Sequence, residues 1–191
     1  MLIVLEGIDG TGKETHIQLL RQKFPDLIVF KYPTRSYSML NDYLEKKISI
    51  DPKALFLLFL ADIAQDQENV RAAIKSKKHI ILDRYVFSTI AYEVNGGISY
   101  ENGKKLVESL NYIKPDHVIL LDLDGKTSQE RKKKQKTLDR YEENVKYLDE
   151  VRSRFLNLAQ ERFLTTSWHK IDASKSIDEV NKEIVNVLVA R

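Results

Sequence analysis

Hydrophobic positions fall along this chain in short, β-branched runs separated by longer segments with helical spacing. The runs are LIVLE (2–6), LIVFK (27–31), HIILD (79–83), HVILLDLD (117–124) and WHKID (168–172). In the first four the apolar residues are nearly continuous, as expected of strands covered on both faces. The intervals between them are long enough for helices, so the chain reads as an α/β fold with a parallel sheet and right-handed crossovers. No internal repeat or low-complexity linker interrupts the pattern, and 191 residues fit one domain over 1–191. Ligands in such folds bind outside the carboxyl ends of the strands. The segments that follow the runs are therefore where chemistry is expected.

The first of them is EGIDGTGKETH (6–16). Gly7, Gly12 and Lys13 fit the phosphate-binding pattern G-x-x-x-x-G-K-[ST]. The context also fits: a strand precedes the loop, and Lys13 opens a helix with apolar positions at Ile17, Leu19, Leu20 and Phe24. Glycines let consecutive backbone N–H groups curl around phosphate oxygens, and the helix N-terminus adds its positive dipole end. The loop Gly7, Ile8, Asp9, Gly10, Thr11, Gly12 is thus the candidate ATP site, with Lys13 reaching the β and γ phosphates. One position departs. Where a hydroxyl should meet Mg²⁺ the chain has Glu14. Two readings of Glu14 stay open: favourable helix-start chemistry in the first turn, or a carboxylate that joins the Mg²⁺ shell. In the first case the hydroxyl of Thr15 is the substitute ligand.

Composition narrows the class. No apolar run approaches the roughly 20 residues of a membrane helix, and Met1 leads straight into a strand without a signal sequence. There are no cysteines, which excludes a disulfide framework and thiolate metal sites. A cytoplasmic protein is the expectation. The net charge of +3 is too small to imply a nucleic-acid partner. The basic residues instead concentrate in GKTSQERKKKQKTLDR (125–140), where Lys126, Arg131, Lys132, Lys133, Lys134, Lys136 and Arg140 face only Glu130 and Asp139. A nucleic-acid surface would add stacking aromatics, and none occurs before Tyr141. A lid closing over polyphosphate requires this excess of cations. The four histidines, His16, His79, His117 and His169, have no metal-ligand spacing and are assigned to packing.

Asp9 is a carboxylate inside the loop that ordinary P-loop ATPases do not need. Together with KYPTR (31–35), DRYVFSTIAY (83–92), DRYEEN (139–144) and DASKSIDEV (172–180), it makes the chain resemble the thymidylate kinase family along nearly its whole length. The resemblance implies a P-loop nucleoside monophosphate kinase fold: a five-stranded parallel sheet flanked by helices, with a mobile basic lid over about 125–141. It implies ATP-dependent phosphorylation of dTMP to dTDP with Mg²⁺. Carried over by position, Asp9 would bind the acceptor 3′-hydroxyl, and Arg35 and Arg84 its 5′-phosphate. Phe59 would stack on the base, Ser88 would lie near the base edge, Tyr92 would pack where a 2′-hydroxyl would project, and Tyr141 would close from the lid. Lys13, Arg84, Arg140 and Asp83 are the catalytic candidates, Asp83 with Glu14 also for the metal. Arg131, Ala173, Ser174 and Lys175 would line the adenine side.

Physical chemistry agrees with that division of labour. The nucleophile is a phosphate oxygen already ionised at neutral pH, so catalysis consists of alignment and charge stabilisation by fixed cations. A deoxynucleoside kinase would need a carboxylate base for a neutral hydroxyl, and no convincing candidate follows the second or third run. A non-catalytic nucleotide-binding regulator, its metal site spoiled by Glu14, is disfavoured by retention of Asp9, Lys13, Arg35, Arg84 and Arg140. Two further features bear on partners. After LLFLAD the family expects an arginine that reads a thymine carbonyl; Ile63 stands there, implying looser base choice. The segment KALFLLFLADIAQ is apolar on all sides, as in a central or interface helix, and the resemblance implies a homodimer through it.

Overall fold

The computed structural model describes residues 1–133 and 144–189. Its elements run β1 (Leu2–Glu6), α1 (Lys13–Lys23), β2 (Ile28–Lys31), α2 (Ser38–Leu44), α3 (Pro52–Gln65), α4 (Gln67–Lys75), β3 (Ile80–Asp83), α5 (Val86–Glu93), α6 (Tyr100–Ser109), β4 (His117–Asp122), α7 (Gly125–Lys133), α8 (Val145–Gln160), β5 (Trp168–Asp172) and α9 (Ile177–Val189). All five apolar runs are strands, in one parallel sheet of order β2-β3-β1-β4-β5. This is the P-loop nucleoside monophosphate kinase fold that the resemblance implied.

Alternation along the strands divides the core in two. Leu2, Val4, Ile80, Leu82, Val118 and Leu120 face a layer built by α3, α5 and α8. Ile3, Leu5, Ile81, Ile119, Leu121 and Ile171 face α1 and α9 on the other side. The three inner strands are buried on both faces, which explains their unbroken apolar runs. The edge strands β2 and β5 are less covered and carry Lys31 and Lys170 at exposed positions, charges that discourage edge-to-edge pairing.

Helix ends follow local chemistry. Asp51 caps α3 by accepting from the backbone N–H groups of Lys53 and Ala54 at 2.9 and 3.2 Å, with Pro52 in the first turn. Asn144 caps α8 through the N–H of Tyr147 at 3.1 Å. Helix α5 is the most enclosed: every residue except Ser88 is buried. Helix α3 buries Phe56, Leu60 and Ile63 against it but leaves Leu57 51% exposed. The histidines assigned to packing include a pair on neighbouring strands, His117 Nδ1 lying 3.0 Å from His169 Nε2.

The inner-strand packing sets a stability expectation. Leu82→Ala, at a position with no solvent exposure, should lose about 2–5 kcal/mol of unfolding free energy. Ile74→Ala, 41% exposed on α4, should stay within about 0.5 kcal/mol of the parent. Urea unfolding followed by circular dichroism compares the two.

Candidate active site at the carboxyl ends of the strands

The loop after β1 needs its glycines. Gly7 and Gly10 have φ of 143° and 77°, and a Cβ on them would meet the carbonyl oxygens of Leu121 and Ser128 at 2.6 and 2.7 Å. Gly12, at φ 89°, begins α1 without a side-chain cap, which leaves first-turn N–H groups for an anion. Ile8 packs inward at 2% exposure, and Thr11 Oγ1 donates to its carbonyl at 2.9 Å. Lys13 folds back over the loop, donating to the carbonyls of Gly7 and Ile8 at 2.7 and 3.0 Å. Burial, and then the neighbouring Arg84 cation, push its ammonium down to about 8. Incoming phosphates would relieve both effects.

The turn after β3 brings the second cation over the same loop. Arg84 has φ 70°, a left-handed conformation that L-residues seldom adopt. Its Nη2 donates to Asp9 Oδ1 at 2.7 Å and its Nη1 to Ser88 Oγ at 3.2 Å. Tyr92 donates to the other Asp9 oxygen at 3.2 Å, and its ring lies 5.2 Å beneath the guanidinium. Burial alone would raise the Asp9 carboxyl, but the attraction of Arg84 and then Lys13 holds it well below the usual range. Burial also opposes the Arg84 charge, and the Asp9 carboxylate outweighs it. The pair is ionised across the physiological range.

These groups border a cleft of about 460 Å³ whose walls include Asp9, Glu14, Arg35, Phe59, Arg84, Ser88 and Tyr92. Seven expected site residues, from four separate stretches of chain, therefore share one cavity. Arg35 lies exposed at the rim with φ 68°, its carbonyl accepting from Asn41 Nδ2 at 2.9 Å. Ile63, on the turn of α3 after Phe59, also lines the cleft although only 2% exposed. Ser88 lines the cleft while its hydroxyl bonds within the protein: it donates to Glu6 at 2.6 Å and accepts from Arg84.

The adenine-side residues lie apart from that cleft. Arg131 Nη1 donates to the Ala173 carbonyl at 3.0 Å and reaches the Gly10 carbonyl at 3.5 Å, so α7 bridges the phosphate loop and the loop after β5. Ser174 bonds Asp172 through both its N–H and its hydroxyl, and Lys175 pairs with Glu183 at 2.8 Å. Thr15 is exposed on α1. Arg140 and Tyr141, with Lys134 and Lys136, lie outside the described residues.

Two carboxylates bear on a metal ion. Asp83 Oδ1 is buried at the end of β3 with no hydrogen-bond partner, and the Asp83 charge acts on Lys13. Glu14 is exposed on the cleft wall. Among the described residues no three potential ligands cluster. That donor set fits Mg²⁺, which keeps several waters and binds through one or two carboxylates plus substrate phosphates. It does not fit a dedicated protein cage.

Sequence reasoning missed two groups. Glu6 ends β1 with no exposed surface and accepts three hydrogen bonds from the start of α5. Burial pushes its carboxyl up to about 7, against the pull of Ser88, Arg84 and Lys13. The available signal was a carboxylate closing an otherwise apolar strand. Asp62, 1% exposed, accepts from Thr34 N at 2.7 Å and so ties α3 to the segment carrying Arg35.

The geometry yields a kinetic expectation. Lys13→Ala and Arg84→Ala should each lower kcat/KM for phosphoryl transfer by at least about a hundredfold, the scale of losing a preorganised charge at a reacting phosphate. Far-UV circular dichroism should remain that of the parent. Lys13 bonds two backbone carbonyls and, at 3.5 Å, the Thr11 hydroxyl, and the Asp9 left behind by Arg84 keeps 22% of its side-chain surface for water. Near-normal turnover in a folded variant would remove that residue from the mechanism.

Comparison with known proteins agrees with this arrangement. The family model for thymidylate kinase matches residues 5–184. A Methanocaldococcus jannaschii protein described as a probable thymidylate kinase is 34% identical, the match covering 98% of this chain and 95% of that one. One from Saccharolobus solfataricus, described as probable thymidylate kinase 1, is 37% identical over 98% of this chain and 96% of its own. The solved structure of thymidylate kinase from Candida albicans superposes with a TM-score of 0.81 at 28% identity, covering 98% of this chain and 90% of that one. With a matched span that runs from β1 into α9 and encloses Lys13 and Arg84, the chain belongs to the thymidylate kinase family.

Proposed function

We propose that this protein transfers the γ-phosphoryl group of ATP to the 5′-phosphate of dTMP, yielding ADP and dTDP. One observation carries the reading: Arg84, locked to Asp9, stands between the phosphate loop and a cleft that ends on Phe59. An acceptor phosphate held by that cation would lie beside the donor phosphates on the loop. An acceptor phosphate oxygen attacks the γ-phosphorus, the new P–O bond forms as the bond to the ADP oxygen breaks, and no proton need move. Lys13 leaves the Gly7 and Ile8 carbonyls for the β and γ oxygens, while Arg84 and Arg35 hold the acceptor phosphate. Arg140 adds charge from the lid. Asp83 and Glu14 would hold Mg²⁺, which supplies charge neutralisation across the β and γ phosphates when bound.

On the nucleoside side, Asp9 takes the 3′-hydroxyl, Phe59 and Tyr141 enclose the base, Ser88 lies at its edge, and the Tyr92 ring occupies the space of a 2′-hydroxyl. On the donor side, Arg131 with Ala173, Ser174 and Lys175 borders the adenine. The chain acts in this reading as one kinase domain whose basic segment, about 125–141, serves as the lid; its described part, α7, meets the loop through Ser128 and Arg131. The exposed apolar side chains Met39, Ile48 and Leu57 on and beside α2 and α3 support a homodimer through that face. Among the described residues no helix is long and apolar enough to cross a membrane, and the proposed setting is the cytoplasm.

An ADP-release assay across dTMP, dUMP, UMP, dGMP and AMP tests the reading. The expected order has dTMP first, and UMP disfavoured relative to dUMP by Tyr92. With Ile63 in place of a carbonyl-reading arginine, discrimination among bases should be weaker by about 10-fold or more, the scale of one charged hydrogen bond. No ADP release with dTMP would overturn the assignment, and strict dTMP selectivity would overturn the looser pocket.

Glu14 gives a separate test. Glu14→Gln keeps the shape and removes the charge, so it should raise the Mg²⁺ concentration for half-maximal activity several-fold, while Glu14→Ser restores a hydroxyl ligand and stays active. An unchanged Mg²⁺ titration for Glu14→Gln would assign the carboxylate to helix-start electrostatics and leave Thr15 or water at the metal.

A further inference from the structure

Glu6 is reached by neither nucleotide in that reading, because it lies wholly beneath the cleft floor. A carboxylate in such a place is expensive unless its oxygens are engaged. Here Oε1 accepts from the N–H groups of Tyr85 and Ser88 at 2.8 and 3.2 Å, and Oε2 accepts from the Ser88 hydroxyl at 2.6 Å. Tyr85 is the N-cap of α5 and offers no side-chain cap of its own. Glu6, from a different strand, takes over that function.

The consequence reaches Arg84. A serine hydroxyl has one proton and two lone pairs. With the proton committed to Glu6, a lone pair is left for Arg84 Nη1, which donates to it at 3.2 Å. Glu6 also grips the backbone N–H of the residue directly after Arg84, the residue whose left-handed φ must be held by its surroundings. Backbone and guanidinium of Arg84 are thus both tied to one buried carboxylate.

We propose that Glu6 is a positioning residue for phosphoryl transfer: through Ser88 and the first turn of α5 it sets the Arg84 guanidinium at the acceptor phosphate. The inference rests on the reading of Arg84 as an acceptor-phosphate ligand. Glu6→Gln retains the size of the side chain, but its amide nitrogen cannot accept the Ser88 proton. It donates instead, so the Ser88 hydroxyl loses the charged acceptor that fixes its proton and polarises its oxygen, and the tie to Arg84 weakens.

Calorimetric titration of the purified protein and its variants with dTMP, and separately with ATP, tests this. Glu6→Gln should weaken dTMP binding about tenfold, the loss expected for one charge-assisted contact, and change ATP binding less than threefold. Ser88→Ala, which cuts the relay while leaving the Glu6 backbone bonds, should do the same and serves alone if Glu6→Gln does not fold. In an Arg84→Ala background either substitution should add less than twofold, because residues acting through one group are not additive. A full tenfold loss in that background, or an equal loss for ATP and dTMP, would reduce Glu6 to a helix cap and overturn the proposal. A parent protein that binds no dTMP would overturn the acceptor reading with it. Normal parent binding with additive variants would overturn this inference alone.

Discussion

Four ionisable groups tied together where β1 and β3 end govern the rest of the structure: Glu6, Asp9, Lys13 and Arg84. Each would be strongly unfavourable as a lone buried charge. Together they balance, because Arg84 and Tyr92 engage the two Asp9 oxygens and the start of α5 engages the two Glu6 oxygens, whereas Asp83 beside them keeps one oxygen unpartnered. The phosphate loop and the turn after β3 are thereby fastened to each other rather than only to their own strands. In the proposed reaction the cation at the acceptor phosphate is thus held still before the phosphate arrives, which is what electrostatic preorganisation requires.

The same balance keeps two of the acids at the loop from opposing an anion. Asp9 is engaged by Arg84 and Tyr92, and Glu6 by the start of α5, while Lys31, Arg35, Arg84 and Lys132 line the cleft. Lys13 bonds only backbone carbonyls and a threonine hydroxyl, which lose little when the ammonium turns to a phosphate. The base end is governed by different physics. Phe59 and Ile63 give it apolar walls, and stacking and burial discriminate less sharply than a fixed hydrogen-bond donor does.

The strands and the phosphate loop were legible because they depend on short-range signals, whereas Arg35, Phe59, Arg84 and Tyr92 were singled out by the resemblance, and the fold brings them to one cleft. Continuous apolar runs specify strands buried on both faces, and glycine spacing specifies a loop whose backbone must adopt φ beyond the reach of other residues. The edge strands β2 and β5 are less covered than the inner three for one reason: each has only one neighbour in the sheet. The resemblance supplied the expected ligands and their roles; periodicity supplied the elements that carry them.

What tertiary structure alone decided is which groups meet. Asp9 and Arg84 are 75 residues apart, and Glu6 and Ser88 82, and they touch because the sheet order seats β1 directly beside β3. Strand order is not encoded by any local pattern; it emerges from how all the apolar faces are buried together. Hence Ser88, placed by sequence at a base edge, directs its hydroxyl to Glu6 and Arg84, and Glu6 reads in sequence as an unremarked polar end to a strand. The chain determined its elements by local periodicity and its loop chemistry by residue type. The partnership of buried charges was decided only in three dimensions, where each carboxylate must find donors or forgo its ionised state.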